Sequence, residues 1–175
     1  MSGVRRVFVG VHGSLGSLQA LRYAAEEARD RDALLVAILT WLPPGGDLAE
    51  RRAPSPYLRK IWRDAAWDRL LNAFDAGLGG FPAEVMVEPR VIRGEAGPIL
   101  VDSADGPGDL LVIGTGRRGL RRTISRSVSR YCLAHARCPV IAVPPSALME
   151  EMTRGIRLWP LKHRALVPDA WLRGA

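Results

Sequence analysis

Hydrophobic positions along the chain fall into two alternating kinds of run. "RRVFVGV" (5–11), "ALLVAILTW" (33–41), "DLLVIG" (109–114) and "CPVIAVPP" (138–145) are short, β-branched and almost continuously apolar, the pattern of strands buried on both faces. Between them, apolar residues recur at helical spacing. Leu18, Leu21, Tyr23, Ala24, Ala25 and Ala28 line one side of "SLQALRYAAEEARDRD" (17–32), with Glu26, Glu27, Arg29 and Asp30 turned outward and Ser14 or Ser17 as the N-cap. Leu58, Ile61, Trp62, Ala65, Leu70 and Phe74 give a second helix its stripe, stopped by the glycines of "AGLGG" (76–80). "GPILVDSA" (97–104) and "SVSRYCLAHAR" (127–137) predict two further helices. "EVMVEPRVIRG" (84–94) predicts a strand whose Pro89 lacks a ladder donor, so it belongs at a sheet edge. The proline- and glycine-rich stretch "LPPGGDLAERRAPSPY" (42–57) has no periodicity and is expected to be a loop or flap.

The order β-α-β-α-β-α-β-α-β calls for an α/β fold, a five-stranded parallel sheet with right-handed crossovers and helices on both faces. In such sheets ligands bind beyond the carboxyl ends of the strands, where the chain order reverses. The candidate loops are therefore "VHGSLGS" (11–17) and "GTGRRG" (114–119). The domain is expected over residues 1–146. Residues 147–175 lose all periodicity and carry scattered arginines with Trp159 and Trp171, so they read either as a basic tail or as a segment whose tryptophans dock on the domain or on a second subunit.

Composition adds little to this picture. With 175 residues, 47% of them hydrophobic and 25% charged, the chain has the material for one ordinary core. No run of about 18 apolar residues occurs and the amino terminus lacks a signal-peptide pattern; the expected location is the cytoplasm, with no membrane contact and with Cys132 and Cys138 reduced. A net charge of +7 attracts polyanions without choosing among them.

"VFVGVHGS", "VIRGEAGPIL" and above all "DLLVIGTGRRG…SVSRYCLAHARCPVIAVPP" together resemble the universal stress protein family over roughly residues 4–146. That resemblance implies strand order 3-2-1-4-5 in a sheet of the adenine nucleotide alpha hydrolase type, homodimers often paired through the fifth strand, and a stress-linked regulatory role; from the residues themselves no catalysis beyond slow ATP hydrolysis is expected. The resemblance also implies ATP as a candidate ligand, held across the loops after strands one and four. The family's phosphate pattern is Gly, two residues, Gly, nine residues, Gly, then Ser or Thr. With Gly116 as the second glycine, the first falls on Ile113; with Gly114 as the first, the second falls on Arg117 and the loop is one residue short. In both registers Arg126 replaces the last glycine, and a side chain there obstructs the backbone N–H cradle that a phosphate needs. His12 stands where the family usually has Asp; it is read either as a solvated loop residue or as a ligand contact able to become cationic near pH 6.5.

The candidate site is thus Val11, His12, Gly13 and Ser14, Thr40 after strand two, and Gly114, Thr115, Gly116, Arg117, Arg126, Ser127 and Val128. The expected function is a universal stress protein with altered or weakened ATP binding, the alternatives being an ordinary ATP-binding member and a basic protein that uses its arginines on an acidic partner. Nucleic acid is disfavoured because no aromatic residues interleave with Arg117, Arg118, Arg121, Arg122, Arg126 and Arg130. "GTGRRG" satisfies a dinucleotide fingerprint, but no acidic residue follows in "HARCPVIAVPP" to hold a ribose. Cys132, His135 and Cys138 supply three ligands where a closed zinc site needs four, at helical steps that do not share one side, so no metal is expected. Neither a nucleophile elbow nor a P-loop lysine is present.

Overall fold

The computed structural model describes residues 3–115, 128–144 and 146. Five strands, β1 (Arg6–Gly10), β2 (Leu34–Trp41), β3 (Val87–Arg93), β4 (Asp109–Gly114) and β5 (Val140–Val143), form one parallel sheet in the order β3-β2-β1-β4-β5. Among the described residues, five helices accompany them: α1 (Leu15–Asp30), α2 (Gly46–Arg52), α3 (Pro56–Leu78), α4 (Ala96–Ser103) and α5 (Val128–His135).

The continuous apolar runs feed two cores at once. Along β1, Val7 and Val9 point to one face and Phe8 to the other; Leu35, Ala37 and Leu39 alternate in the same way with Val36 and Ile38 on β2, as the two-residue period of a strand requires. α1 and α3 cover the first face with Leu21, Leu70 and Phe74, all fully buried. α4 and α5 cover the second through Leu100, Val101 and Cys132. Each large side chain so buried contributes roughly 1.5–3 kcal/mol. β3 is an edge strand, as Pro89 requires, and is only half-buried along its length.

Local signals set the helix ends. The Ser14 hydroxyl accepts from the Ser17 amide at 3.3 Å and caps α1, while Ser55 does the same for α3 through the Leu58 amide. Gly79, left-handed at φ 75°, closes α3 with its N–H on the Asp75 carbonyl. At the amino ends of β1 and β4, Arg6 makes a two-pronged contact with the buried Asp109 at 2.8 Å on each oxygen, and the Gly106 amide donates a third bond to the same carboxylate.

Two expectations are corrected. The stretch expected to be a loop contains the short helix α2, which has no apolar stripe to announce it. It is held instead by Glu50, 6% exposed, between Arg59 at 2.6 Å and Arg93 at 2.5 Å, a tertiary arrangement invisible to periodicity. In α3, Leu58, Ile61 and Ala65 do not face the core. They are exposed, and the buried stripe is Ala66, Leu70, Ala73, Phe74 and Gly77. No helix among the described residues is long and apolar enough to cross a membrane.

Candidate functional site

β1 and β4 are neighbours, but the chain leaves them in opposite directions: after β1 through α1 towards β2, after β4 through α5 towards β5. This divergence opens a cleft at their carboxyl ends. Its volume is about 210 Å³, and Val11, Ile38, Leu100 and Ile113 supply apolar wall while Ser17, Thr40, Ser129 and His12 supply polar groups.

The turn after β1 is built from its own side chains. The Val11 amide donates to the Ile38 carbonyl at 2.8 Å, carrying the sheet one residue past the strand. Gly13, at φ 82°, turns the chain into α1, a conformation that costs residues with a Cβ roughly 1–2 kcal/mol. His12 is exposed and folded over this turn, where its Nδ1 accepts from the Ser14 amide at 3.2 Å. A carboxylate two residues before an N–H commonly closes such a turn, so the imidazole reproduces locally what an Asp would do.

The β4 side depends on close backbone approach. A Cβ on Gly114 would run into the Gly16 carbonyl oxygen and lie 2.7 Å from its carbon and 3.0 Å from the Ser17 nitrogen, so only glycine lets α1 and β4 meet here. Thr115 continues the pairing with β5, donating its amide at 2.8 Å and its hydroxyl at 3.2 Å to the Val143 carbonyl. The Ser129 hydroxyl donates to the Gly114 carbonyl at 3.0 Å and ties the first turn of α5 to the end of β4. Val128 and Ser129, the first described residues of α5, border the cleft.

A match to the universal stress protein family model runs over residues 3–144. The chain belongs to the universal stress protein family. No curated protein matches this chain, but solved structures of universal stress proteins do. A universal stress protein crystallised in complex with cAMP is 26% identical over 83% of this chain and 100% of its own, with a TM-score of 0.55. UspA from Lactobacillus plantarum, 20% identical over 82% of this chain and 99% of its own at a TM-score of 0.55, shows the shared fold. So does an Arabidopsis thaliana family member with AMP bound, 20% identical over 82% and 93% at a TM-score of 0.50. The sheet order and two-sided helix layers are those of the universal stress protein fold.

Of the candidate residues, Val11, His12, Thr40, Gly114 and Val128 are brought together around the cleft. Gly13, Ser14 and Thr115 are placed beside it, with Ser14 engaged as a helix cap and Thr115 on β5. Gly116, Arg117, Arg126 and Ser127 lie outside the described residues, as do residues 147–175. The cleft also draws on Ser17, the last residue of the candidate loop 11–17, and on Gly10, Ile38, Ala96, Leu100, Ile113 and Ser129, which sequence reasoning missed. Ser129 had a signal, standing in the first turn of a predicted helix. Ala96 and Leu100 had none, since only packing brings α4 over the end of β1. A second hollow sharing Thr40, Ala96 and Val128 extends past Trp41 and Gly94 to Tyr131.

The cysteines at the far end of α5 are free thiols. Burial pushes Cys132 up to about 11 and also raises Cys138. His135 lies against the Tyr131 ring at 4.2 Å with its Nδ1 2.9 Å from the Tyr131 carbonyl. Among the described residues, no group of three or more His, Cys, Asp or Glu could hold a metal ion.

Proposed function

We propose that the chain is a regulatory, non-catalytic universal stress protein that takes an adenine nucleotide in the cleft between β1 and β4 and binds ATP weakly. The observation that carries this reading is the cleft itself: apolar walls from Val11, Ile38 and Leu100 for a base, next to the first turn of α5 for an anionic phosphate. The cAMP complex of the 26% identical family member supports it. Weak ATP binding follows from the "GTGRRG" loop, one residue short, and from Arg126 in the last glycine position.

Two of the three described hydroxyls that line the cleft, those of Ser17 and Ser129, are engaged in ways that support a non-catalytic role. Ser17 donates to the Ser14 carbonyl at 2.9 Å and Ser129 to the Gly114 carbonyl at 3.0 Å, so both serve the backbone rather than a bound water. The dimer reading rests on β5, which is an edge of the sheet and so presents backbone groups for pairing.

Calorimetric titration with magnesium–ATP, AMP and cAMP tests the ligand. The expected result is measurable binding of at least one, with ATP weaker than about 10 μM, equivalent to roughly 7 kcal/mol. Tighter ATP binding would overturn the weakened-site reading, and no heat with any of the three would overturn nucleotide binding. Sedimentation showing only monomer at micromolar concentration would count against the dimer.

A further inference from the structure

α3 carries two apolar stripes that do not coincide. Its carboxyl half buries Ala66, Leu70, Ala73, Phe74 and Gly77 against the sheet and α1. Its amino half exposes Tyr57, Leu58, Ile61 and Ala65, with Tyr57 73% exposed and Leu58 and Ile61 each 42%. At 100° per residue the second stripe is turned roughly 150° from the first. Of the positions that continue the core stripe into this half, Trp62 packs against the core while Arg59 and Arg63 are charged, and Arg59 is tied to Glu50 of α2. The outward direction of the apolar residues is therefore enforced: rotating them inward would break the Glu50 contact. An organised apolar stripe held out to solvent marks a surface that something covers.

Residues 147–175 are the segment with the composition and the reach to do so. They follow β5, lie beyond the family domain that ends at residue 144, and include Ile156, Leu158, Trp159, Leu161, Trp171 and Leu172, more apolar surface than a solvated tail carries. In a parallel sheet the carboxyl ends of β2 and β5 share one end, and α3 begins at that end because it follows β2 through α2. Three strand spacings, about 14 Å, separate β2 from β5, whereas the segment extended spans on the order of 90 Å. A tethered segment acts at an effective concentration of about millimolar, far above that of an unassociated copy of the chain at micromolar concentration.

We propose that residues 147–175 fold back within the same chain and cover the Tyr57–Leu58–Ile61–Ala65 stripe of α3, with Trp159 and Trp171 as the anchors. The inference is independent of what the cleft binds. Its test is the full-length chain with benzoylphenylalanine in place of Tyr57, irradiated as an equal mixture of 14N- and 15N-labelled protein. The expected product is a cross-link to a peptide within residues 147–175, with both peptides of one isotope. Pairs of mixed isotope would overturn the proposal in favour of contact between copies, and a cross-link elsewhere, or none, would overturn it outright. Hydrogen exchange supplies the second reading: amides of 147–175 are expected to exchange at least about tenfold slower than an unstructured chain. That protection should be lost in the Leu58→Lys/Ile61→Lys variant while β1 and β2 keep theirs. Unstructured-chain rates for this segment in the unsubstituted protein would also refute it.

Discussion

Replacing Gly114 by Ala tests the close approach on which the cleft depends. The added Cβ would lie 2.7 Å from the Gly16 carbonyl carbon and 3.0 Å from the Ser17 nitrogen, where carbon contacts settle at about 3.5–4.0 Å. All of these obstacles are backbone atoms, so relief requires moving the first turn of α1 away from β4 by about 1 Å. That turn is pinned by the Ser14 cap and by the Val11–Ile38 bond just before it. Overpacking of this kind costs about 1–3 kcal/mol, and a rigid partner places Gly114→Ala near the upper figure. With a urea slope of about 2 kcal/mol per molar, the unfolding midpoint should fall by about 1–1.5 M. Gly13→Ala is the internal comparison, because its Cβ would meet nothing within 4 Å and only the positive φ is penalised; its cost should be about 1 kcal/mol. Urea denaturation followed by circular dichroism measures both. A Gly114→Ala midpoint within 0.2 M, on the order of 0.4 kcal/mol, of the unsubstituted protein would refute the steric argument.

The Arg6–Asp109 contact should be asymmetric: Asp109 is 3% exposed whereas the Arg6 side chain is 40% exposed. Arg6→Ala, which strands a buried carboxylate, should cost about 3–5 kcal/mol, and Asp109→Ala, which leaves a hydrated guanidinium, about 1–3 kcal/mol, both read from urea midpoints. Arg31 and, second, Tyr23 hydrogen-bond the Glu27 carboxylate and lower its pKa from the usual 4.5. Its stabilisation is therefore present above that value and lost as pH falls through the folded pKa, so Glu27→Gln should flatten the acid limb of a thermal stability profile between about pH 5 and 3. Cys132, buried and pushed up to about 11, should be alkylated by iodoacetamide at pH 8 far more slowly than the partly exposed Cys138; mass spectrometry of timed samples would show the reverse order if the burial were wrong.

What could be read from residues alone was whatever local chemistry dictates. The apolar runs of β1, β2 and β4 need two covered faces, the stripe of α1 needs one, and Pro89 needs an edge; each was legible because the constraint lies within a few residues. The family motif extended this to strand order, which no local pattern contains. Three things waited for tertiary structure. α2 exists through Glu50, whose partners Arg59 and Arg93 come from α3 and β3, so its own stretch shows no period. The amino half of α3 looks like core because Leu58, Ile61 and Ala65 keep helical spacing, but the rotation that buries Leu70 and Phe74 turns them outward. The cleft likewise joins Val11, Thr40 and Gly114, which mark strand ends, to Leu100 and Ser129, which reach it only because α4 and α5 pack across the second face of the sheet. Periodicity specifies which side of an element is apolar; only the packed sheet decides which of those sides meets a partner, and where strand ends part to leave a space.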